Sequence, residues 1–518
     1  MTPETAHLRR WLILPVLCIS VFLVVVDNTI VNVALPQLSK DLGASTTALQ
    51  WIVDAYSLAF SGLLLAGGGI GDRLGRKGTM QVGLLGFGIF SALAAMATST
   101  GALITARTLM GVTAAFIFPA SLAILTSVFP EPAERQKALG IWGATAGLAV
   151  AFGPITSGAL LEHFWYGSIF LINLPIVVVA MVAGQVLIPK IGHVHPGRFD
   201  FAGTVVSTIG VSLLVLAIIQ GPQWGWLTVG TIGCFAAAAV VLAGFVLLEL
   251  RTEAPLLDVR VFRIPRFSAG ALSVAVAFFT LFGFIFLITQ YLQFIKGYST
   301  LSAGVHTLPF AIVSAVATPL GALAALKVGS RWVVGTGLVS MAAGLVVAAF
   351  NCHPNTAYWG PIVISMILLA FGLSLVNAPA TEAVMGSLRE DQIGAGAAVN
   401  NTTRELGGTL GVAIFGSVFA SAYTPKLFAA YGASPIPASA KEAAGHSVNA
   451  ALAVAERAPA DLQTALTSAA TSAFSSGLKL ACLVGSVVTF LGALMAARYL
   501  PGRTDEVHSV GEMLAFEA

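Results

Sequence analysis

Five charged side chains lie inside long apolar runs of this sequence, where an ionised group is costly and usually serves a function. They are Asp27, Asp54, Arg107, Arg404 and Glu405. A carboxylate in such surroundings can take up and release a proton or hold a cation, and an arginine can supply the counter-charge. These residue types predict proton exchange or cation binding inside an apolar body, and the elements that hold them must be found next.

Asp27 and Arg107 fall at compatible depths in two separate apolar runs, so the sequence permits a pair between them. The arginine favours the ionised carboxylate and burial favours the neutral acid, so protonation of Asp27 would free Arg107 and change helix contacts. We expect Asp27 to carry a transferable proton. A permanent salt bridge is the alternative.

The other two carboxylates each have a functional and a structural interpretation. Asp54 begins the second run beside Tyr56, either as a cavity carboxylate or as an interfacial residue at a helix start. Glu405 lies deep in a later run and shares a helix face with Asn401. It serves either a cavity or an interhelical pair. Its neighbour Arg404 points about 100° away, so the two need not pair.

The composition explains what surrounds these residues. Of 518 residues, 57% are hydrophobic and 9% are charged, against about 25% charge in ordinary soluble domains. A net charge of +3 gives no reason to expect a nucleic-acid partner. Apolar runs of about 20 residues suit membrane-spanning helices, whereas a membrane β-barrel alternates apolar and polar residues. The sequence predicts an all-α polytopic membrane protein.

Reading along the chain gives fourteen candidate spans. No cluster of His, Asp or Glu in them has metal-ligand spacing, which argues against an enzyme and predicts no metal site. The spans are 11–35, 50–70, 79–97, 102–126, 137–161, 167–188, 202–221, 226–248, 267–295, 301–326, 331–350, 359–381, 395–420 and 474–498.

Lysine and arginine set the orientation, because they are enriched in cytoplasmic loops. Most of them fall in one set of loops, which places both termini in the cytoplasm and the chain in the cytoplasmic (inner) membrane of the cell. Polar linkers divide the chain into a six-helix bundle over 1–195, a two-helix insertion over 196–262 and a second six-helix bundle over 263–518. The second bundle carries an external loop over 424–472, for which we expect two short surface helices.

The loop after the second span reads GGIGDRLGRK over 68–77. Loop orientation alone would explain its basic residues but not the acidic residue among them. Its glycines permit a tight turn, and its aspartate can interact with a helix N-terminus. The residues are Gly68, Asp72, Arg73, Gly75 and Arg76. The pattern matches GxxxDRxGR[RK], the loop signature of the major facilitator superfamily.

Further motifs extend this resemblance along the chain. DNTIVNVALP over 27–36 resembles the opening signature of the fourteen-span drug:proton antiporters of the QacA/EmrB type. RTLMG over 107–111 is similar to the RxxxG motif of that family. GPITSG, with Gly153, Pro154 and Gly158, resembles its GPxxGG antiporter motif, with a serine in place of the fifth residue.

The resemblance implies the major facilitator fold, with two six-helix bundles around a central cavity and the two-helix insertion between them. It implies alternating access, with protons entering as substrate leaves. It also implies that the Asp72 loop docks onto the second bundle, for which the first turn of span 13, near 394–399, offers a partial positive charge. No GxxxxGK[ST] sequence is present, so we expect no ATPase domain in this chain and no cofactor, with a proton gradient as the energy source.

Phe278, Phe282 and Phe286 form one stripe at four-residue spacing. The stripe is either a lipid-facing surface or an aromatic wall for flat or cationic ligands. The principal hypothesis is a proton-coupled multidrug efflux antiporter for small lipophilic or cationic substrates. Export of an endogenous lipid, metabolite or antibiotic is the alternative, and a non-transporting membrane sensor or scaffold is the remote one.

Overall fold

The computed structural model describes residues 10–42, 46–189, 200–252, 255, 257, 259–388, 393–432, 434, 436–437, 441, 444 and 448–502. Within this part the chain is a series of helices, with a short 3₁₀ segment at Val259–Arg263 and π-helical turns at Tyr291–Ile295 and Tyr358–Ile362. The helices are α1 Arg10–Leu42, α2 Thr46–Leu74, α3 Arg76–Ala95, α4 Thr100–Val128, α5 Pro132–His163, α6 Ser168–Leu171, α7 Asn173–Leu187, α8 Phe201–Trp224, α9 Val229–Glu249, α10 Pro265–Gln290, α11 Thr300–Val305, α12 Leu308–Val328, α13 Ser330–Asn351, α14 Val363–Met385, α15 Ile393–Gly432, α16 Val448–Arg457 and α17 Ala460–Tyr499.

Thirteen stretches of the described chain are long and apolar enough to cross a membrane, and they coincide with thirteen of the predicted spans. The remaining prediction, 137–161, lies inside α5, a continuous helix of 32 residues that is not among the thirteen. α5 packs against α1 on one side and α12 on the other. The count of fourteen spans stays a prediction.

The apolar side chains form two cores. The first is built mainly from α1–α5 and α7, and the second from α10, α13–α15 and α17. The cores meet where α5 packs on α12 and α14, and where α2 and α4 pack on α15. We call this contact zone the seam. The face at which α1 begins, with Arg10, Arg76 and Arg135, is called the basic face.

Glycines bring the backbones together at the seam. A methyl group added to Gly140 would lie 3.3 Å from the Cα atom of Pro319, and one added to Gly143 would overlap the amide of Asn377. α5 therefore lies against the second group of helices with little space between them. This close approach places the middle of α5 beside α14, where both helices contact the buried Arg404.

The predicted insertion forms the antiparallel pair α8 and α9. α8 packs on both α2 and α15, and the indole of Trp226 donates a hydrogen bond to Ser417 of α15. The insertion thus contacts helices from both cores.

The segment over 424–472, predicted as an external loop, is helical at both ends. α15 continues to Gly432 and α17 begins at Ala460, so both ends of the segment belong to extended helices, and α16 lies between them within the described residues. The Tyr431 hydroxyl donates to the carbonyls of Ala451 and Leu466, at 3.1 and 3.2 Å, which ties α15 to α16 and α17. One short helix, α16, is present among the described residues of the segment, and the prediction of two stays a prediction because part of the segment lies outside those residues.

Candidate functional site

A buried ion pair joins α1 to α4. The Arg107 Nη1 donates to the Asp27 Oδ2 at 2.5 Å, and both side chains are 0% exposed. The Asn173 Nδ2, at the start of α7, donates to the other Asp27 oxygen at 2.8 Å and to the Ser91 hydroxyl at 3.0 Å. The predicted contact between Asp27 and Arg107 is confirmed; α1, α4 and α7 meet at one carboxylate, and Ser91 of α3 joins through Asn173.

Arg107 is held on its other sides by α2. Its Nε donates to the Ile52 carbonyl at 3.2 Å, and its guanidinium carbon lies 4.2 Å from the centre of the Tyr56 ring. Two polar atoms of the cluster have no hydrogen-bond partner among the described residues, the Arg107 Nη2 and the Asn173 Oδ1. The cluster therefore has one spare donor and one spare acceptor in a water-poor interior.

Sequence reasoning did not find Asn173 or Ser91. Asn173 lies in the apolar element FLINLP over 170–175. The signal that could have found it is its amide, a single polar side chain within the apolar turn that begins a span. Ser91 carries no such signal, because serine is common in membrane helices.

The two other predicted carboxylates are half-buried. Glu405 on α15 is close enough to Tyr56 to act on it electrostatically, as Asp27 is. Tyr56 lies on α2, which packs on α15, and its ring contacts Arg107. Asp54 forms no ion pair within the described part of the chain, and the structure does not bring it into this cluster.

Arg404 forms a second buried cluster at the seam. Its Nη2 donates to the Asn377 Oδ1 at 2.6 Å and to the Thr381 hydroxyl at 3.2 Å, both on α14. Its guanidinium carbon lies 5.1 Å from the centre of the Trp142 ring on α5 and 5.0 Å from that of Phe278 on α10. One arginine therefore contacts side chains from both groups of helices, and it does not pair with Glu405.

The loop with Asp72 lies at the basic face. Asp72 pairs with Arg76 at 2.9 Å, and the buried Arg76 also donates to the Ala123 carbonyl at 3.3 Å and to the Ser127 hydroxyl. Gly75 has a φ of 101°, a conformation that favours glycine. These bonds tie α2 and α3 to α4. Gly68 is buried and Arg73 is half-buried.

The predicted docking of Asp72 on the first turn of α15 stays a prediction. The side chains at 393–395 and 398 lie outside the described residues. The structure does show that α2 packs on α15.

A third charged contact crosses the seam near the basic face. The Arg135 Nε donates to the Glu382 Oε2 at 2.7 Å, and its Nη2 donates to Oε1 at 2.5 Å. This bidentate pair links α5 to α14. From the sequence, Arg135 indicates only orientation and Glu382 only a span end, so nothing there predicts the contact.

The chain was compared with known proteins and family models. The model described as Major Facilitator Superfamily matches residues 17–412. The chain belongs to the Major Facilitator Superfamily. The multidrug efflux pump LfrA of Mycolicibacterium smegmatis is 35% identical over 494 residues, which cover 95% of this chain and 97% of that protein. The methyl viologen resistance protein SmvA of Salmonella typhimurium is 34% identical, with coverages of 81% and 84%.

Solved structures agree on the fold of this superfamily member. A proton:xylose symporter, XylE, superimposes with a TM-score of 0.60 at 12% identity, covering 97% of both chains. The human organic anion transporter MFSD10 gives a TM-score of 0.58 at 14% identity. Membership of the superfamily indicates a transporter rather than an enzyme. No group of metal-ligating side chains is found in the described ranges.

The GPITSG segment of this superfamily member lies on α5 beside α1. A side chain at Gly153 would overlap Thr29, two residues after Asp27, so the glycine permits close contact of the two helices. The buried Ser157 hydroxyl has no partner among the described residues. Gly158 is half-buried, and the side chain of Pro154 lies outside the described residues.

The phenylalanine stripe faces α15 rather than lipid along most of its length. Phe278 and Phe282 stack with centres 6.2 Å apart, and Phe282 lies against Gly408. Phe286 is 37% exposed. The Phe278 ring already contacts the Arg404 guanidinium. The prediction of an aromatic wall for cationic ligands therefore depends mainly on Phe282.

Proposed function

We propose that this protein is a proton-coupled multidrug efflux antiporter of the fourteen-span type, which exports lipophilic and cationic compounds by alternating access. The relatives, an efflux pump and a resistance protein, support efflux of small toxic compounds. In this proposal the chain lies in the cytoplasmic membrane, both termini and the basic face are cytoplasmic, and no cofactor is used. The proton gradient supplies the energy.

The buried Asp27–Arg107 pair carries the proposal. An ion pair with no solvent exposure is stable only while both partners are charged, because an unpaired charge in an apolar interior is costly. Protonation of Asp27 would leave the guanidinium with the Ile52 carbonyl and the Tyr56 ring. The contacts of α1 with α4 would then weaken, which gives proton binding a direct effect on helix packing.

Asn173 can serve both protonation states of Asp27. Its Nδ2 now donates to the carboxylate, while its Oδ1 has no partner among the described residues. A half-turn of the amide would present Oδ1 as an acceptor for a protonated Asp27, since a side-chain amide carries both a donor and an acceptor. The site therefore needs no other residue to accept this hydrogen bond.

Tyr56 is the proposed link to substrate. Its ring lies under Arg107, and it is within electrostatic reach of Glu405 on the other side of the seam. Asp27 and Glu405 would hold protons and a cationic substrate in competition, and Asp54 would be a further carboxylate on the pathway. Such competition is sufficient for exchange of a proton for a cation.

The test is proton release from purified protein on addition of a cationic dye. We expect release from the wild type and loss of at least about nine-tenths of the signal in Asp27→Asn, which has no acid to deprotonate. Asp41→Asn is the matched control, because Asp41 is an exposed carboxylate on the same helix that accepts from Gln37. It should leave the signal unchanged.

Unchanged proton release in Asp27→Asn would refute the assignment of Asp27 as the proton carrier. Dye efflux from vesicles that persists without any pH gradient would refute proton coupling itself.

A further inference from the structure

Arg404 is a buried cation without an acidic partner among the described residues. It is 4% exposed, and the acceptors it contacts are the neutral oxygens of Asn377 and Thr381. Its Nε has no hydrogen-bond partner there. Neutral acceptors and ring faces offset a guanidinium charge less well than a carboxylate does. The interior thus holds a positive charge whose hydrogen bonds go to neutral oxygens, with Glu405 close enough to act on it electrostatically, and a free N–H donor.

Unpaired polar groups surround this arginine. Asn400 lies one turn before Arg404 on the same face of α15, is fully buried, and has no partner for either amide atom among the described residues. Both amide atoms of Asn401 and the hydroxyl of Thr402 are also buried and unpaired there. Buried polar groups are nearly always satisfied in proteins, so this concentration of unpaired donors and acceptors indicates an absent polar ligand, and the guanidinium among them favours one with an acidic group.

The walls of the cluster indicate the shape of that ligand. Trp142 comes from one group of helices and Phe278 from the other, and both rings lie beside the guanidinium. Separation of the two groups would therefore expose one ring on each side. A flat molecule could take the place of either ring contact while its acidic group reaches Arg404 and Asn400.

We propose that Arg404, with Asn400 and Asn377, forms a binding site for the carboxylate of flat amphipathic substrates. The proposal rests on the efflux function above and names a further substrate class, zwitterionic and anionic compounds, which Asp27 and Glu405 alone would repel. A guanidinium suits a carboxylate because two parallel N–H groups can bind its two oxygens.

The test measures binding of a matched dye pair, a rhodamine free acid and the methyl ester of the same dye, by fluorescence anisotropy. The purified full chain is held in phosphatidylcholine nanodiscs, so that no anionic lipid competes. Arg404→Gln should weaken binding of the acid by at least about tenfold and binding of the ester by less than about twofold. Arg404→Lys, which keeps the charge and loses the paired donors, should lie between.

Asn400→Asp separates binding from a structural role. A new carboxylate beside Arg404 should weaken binding of the acid and leave binding of the cationic ester unchanged or tighter. General damage to the fold would weaken binding of both dyes. Lys479→Gln is the charge-matched control, because Lys479 is exposed and stacks on Phe350, with 4.6 Å from its nitrogen to the ring centre. It should change neither affinity.

The proposal would be overturned if Arg404→Gln weakened binding of both dyes equally, or if the acid did not bind to the wild type. The binding assay contains no proton gradient, so its result is independent of the efflux mechanism. Efflux of the ester from wild-type vesicles reports on that mechanism separately.

Discussion

Arg107 and Arg404 are both buried arginines over aromatic rings, but they have different partners. Arg107 faces the carboxylate of Asp27 within one group of helices. Arg404 lies at the seam between the groups and contacts neutral oxygens. The same side chain can therefore hold a proton-binding acid in place or leave a charge available to a ligand. The partner, and not the burial, decides which.

The largest expected effect separates the two arginines by stability. Arg107→Leu leaves a buried, unpaired carboxylate and should cost about 3–5 kcal/mol of unfolding free energy. Arg404→Leu leaves neutral groups behind and should cost about 1–3 kcal/mol. Thermal unfolding in detergent, followed by tryptophan fluorescence, gives the order of the midpoints.

The double variant Asp27→Leu with Arg107→Leu is the internal control, since it removes both charges and should recover most of the lost stability. A midpoint for Arg404→Leu at or below that of Arg107→Leu would contradict the distinction between the two sites.

A smaller effect is expected at the charged contact that crosses the seam. Glu382→Gln removes the bidentate partner of Arg135 and should favour separation of the groups at the basic face, by about tenfold in population. A cysteine in place of Ser314, a buried residue of α12 facing Gly147, should then react faster with a water-soluble thiol reagent. The unfolding midpoint should fall less than in Arg107→Leu.

Exchange of the two charges, Arg135→Glu with Glu382→Arg, should return the labelling rate to near the wild-type value. If Glu382→Gln labels no faster than the wild type, the pair does not hold the seam closed.

The smallest effect concerns the rings beside Arg404. Trp142→Leu removes a ring on which a flat dye can stack and should weaken binding of the free-acid dye several-fold, since aromatic contacts contribute about 0.5–1.5 kcal/mol. Trp142→Phe keeps an aromatic ring and should weaken binding of the dye less. Phe286→Leu, at the exposed end of the stripe, should have no effect, and a loss there equal to that of Trp142→Leu would contradict the assignment of the rings.

The sequence was sufficient for the helical membrane fold and for the partners in the buried pair. Asp27 and Arg107 could be matched because each is a rare charge at a definable depth in an apolar run. The Asp72–Arg76 loop could be located from its motif, although the bonds of Arg76 to α4 could not be foreseen.

The contacts of the seam could not be predicted in the same way. Arg135 and Glu382 are 247 positions apart, and each has an adequate local explanation at a span end. The environment of Arg404 depends on the rotation of α15, which periodicity alone does not determine. Asn377 joins distant helices through a neutral amide. Such contacts cannot be predicted from the distribution of charges along the sequence.

The position of α8 gives the molecule two unlike sides. α8 packs on both α2 and α15 and covers that border of the seam. At the other border, where α5 meets α12, Phe152 of α5 and Ile312, Val316 and Leu320 of α12 have more than half of their surface exposed. Acyl chains of the bilayer can therefore touch the junction directly on that side. Lipid thus borders the junction of α5 and α12, whereas the α8–α9 hairpin covers the junction of α2 and α15.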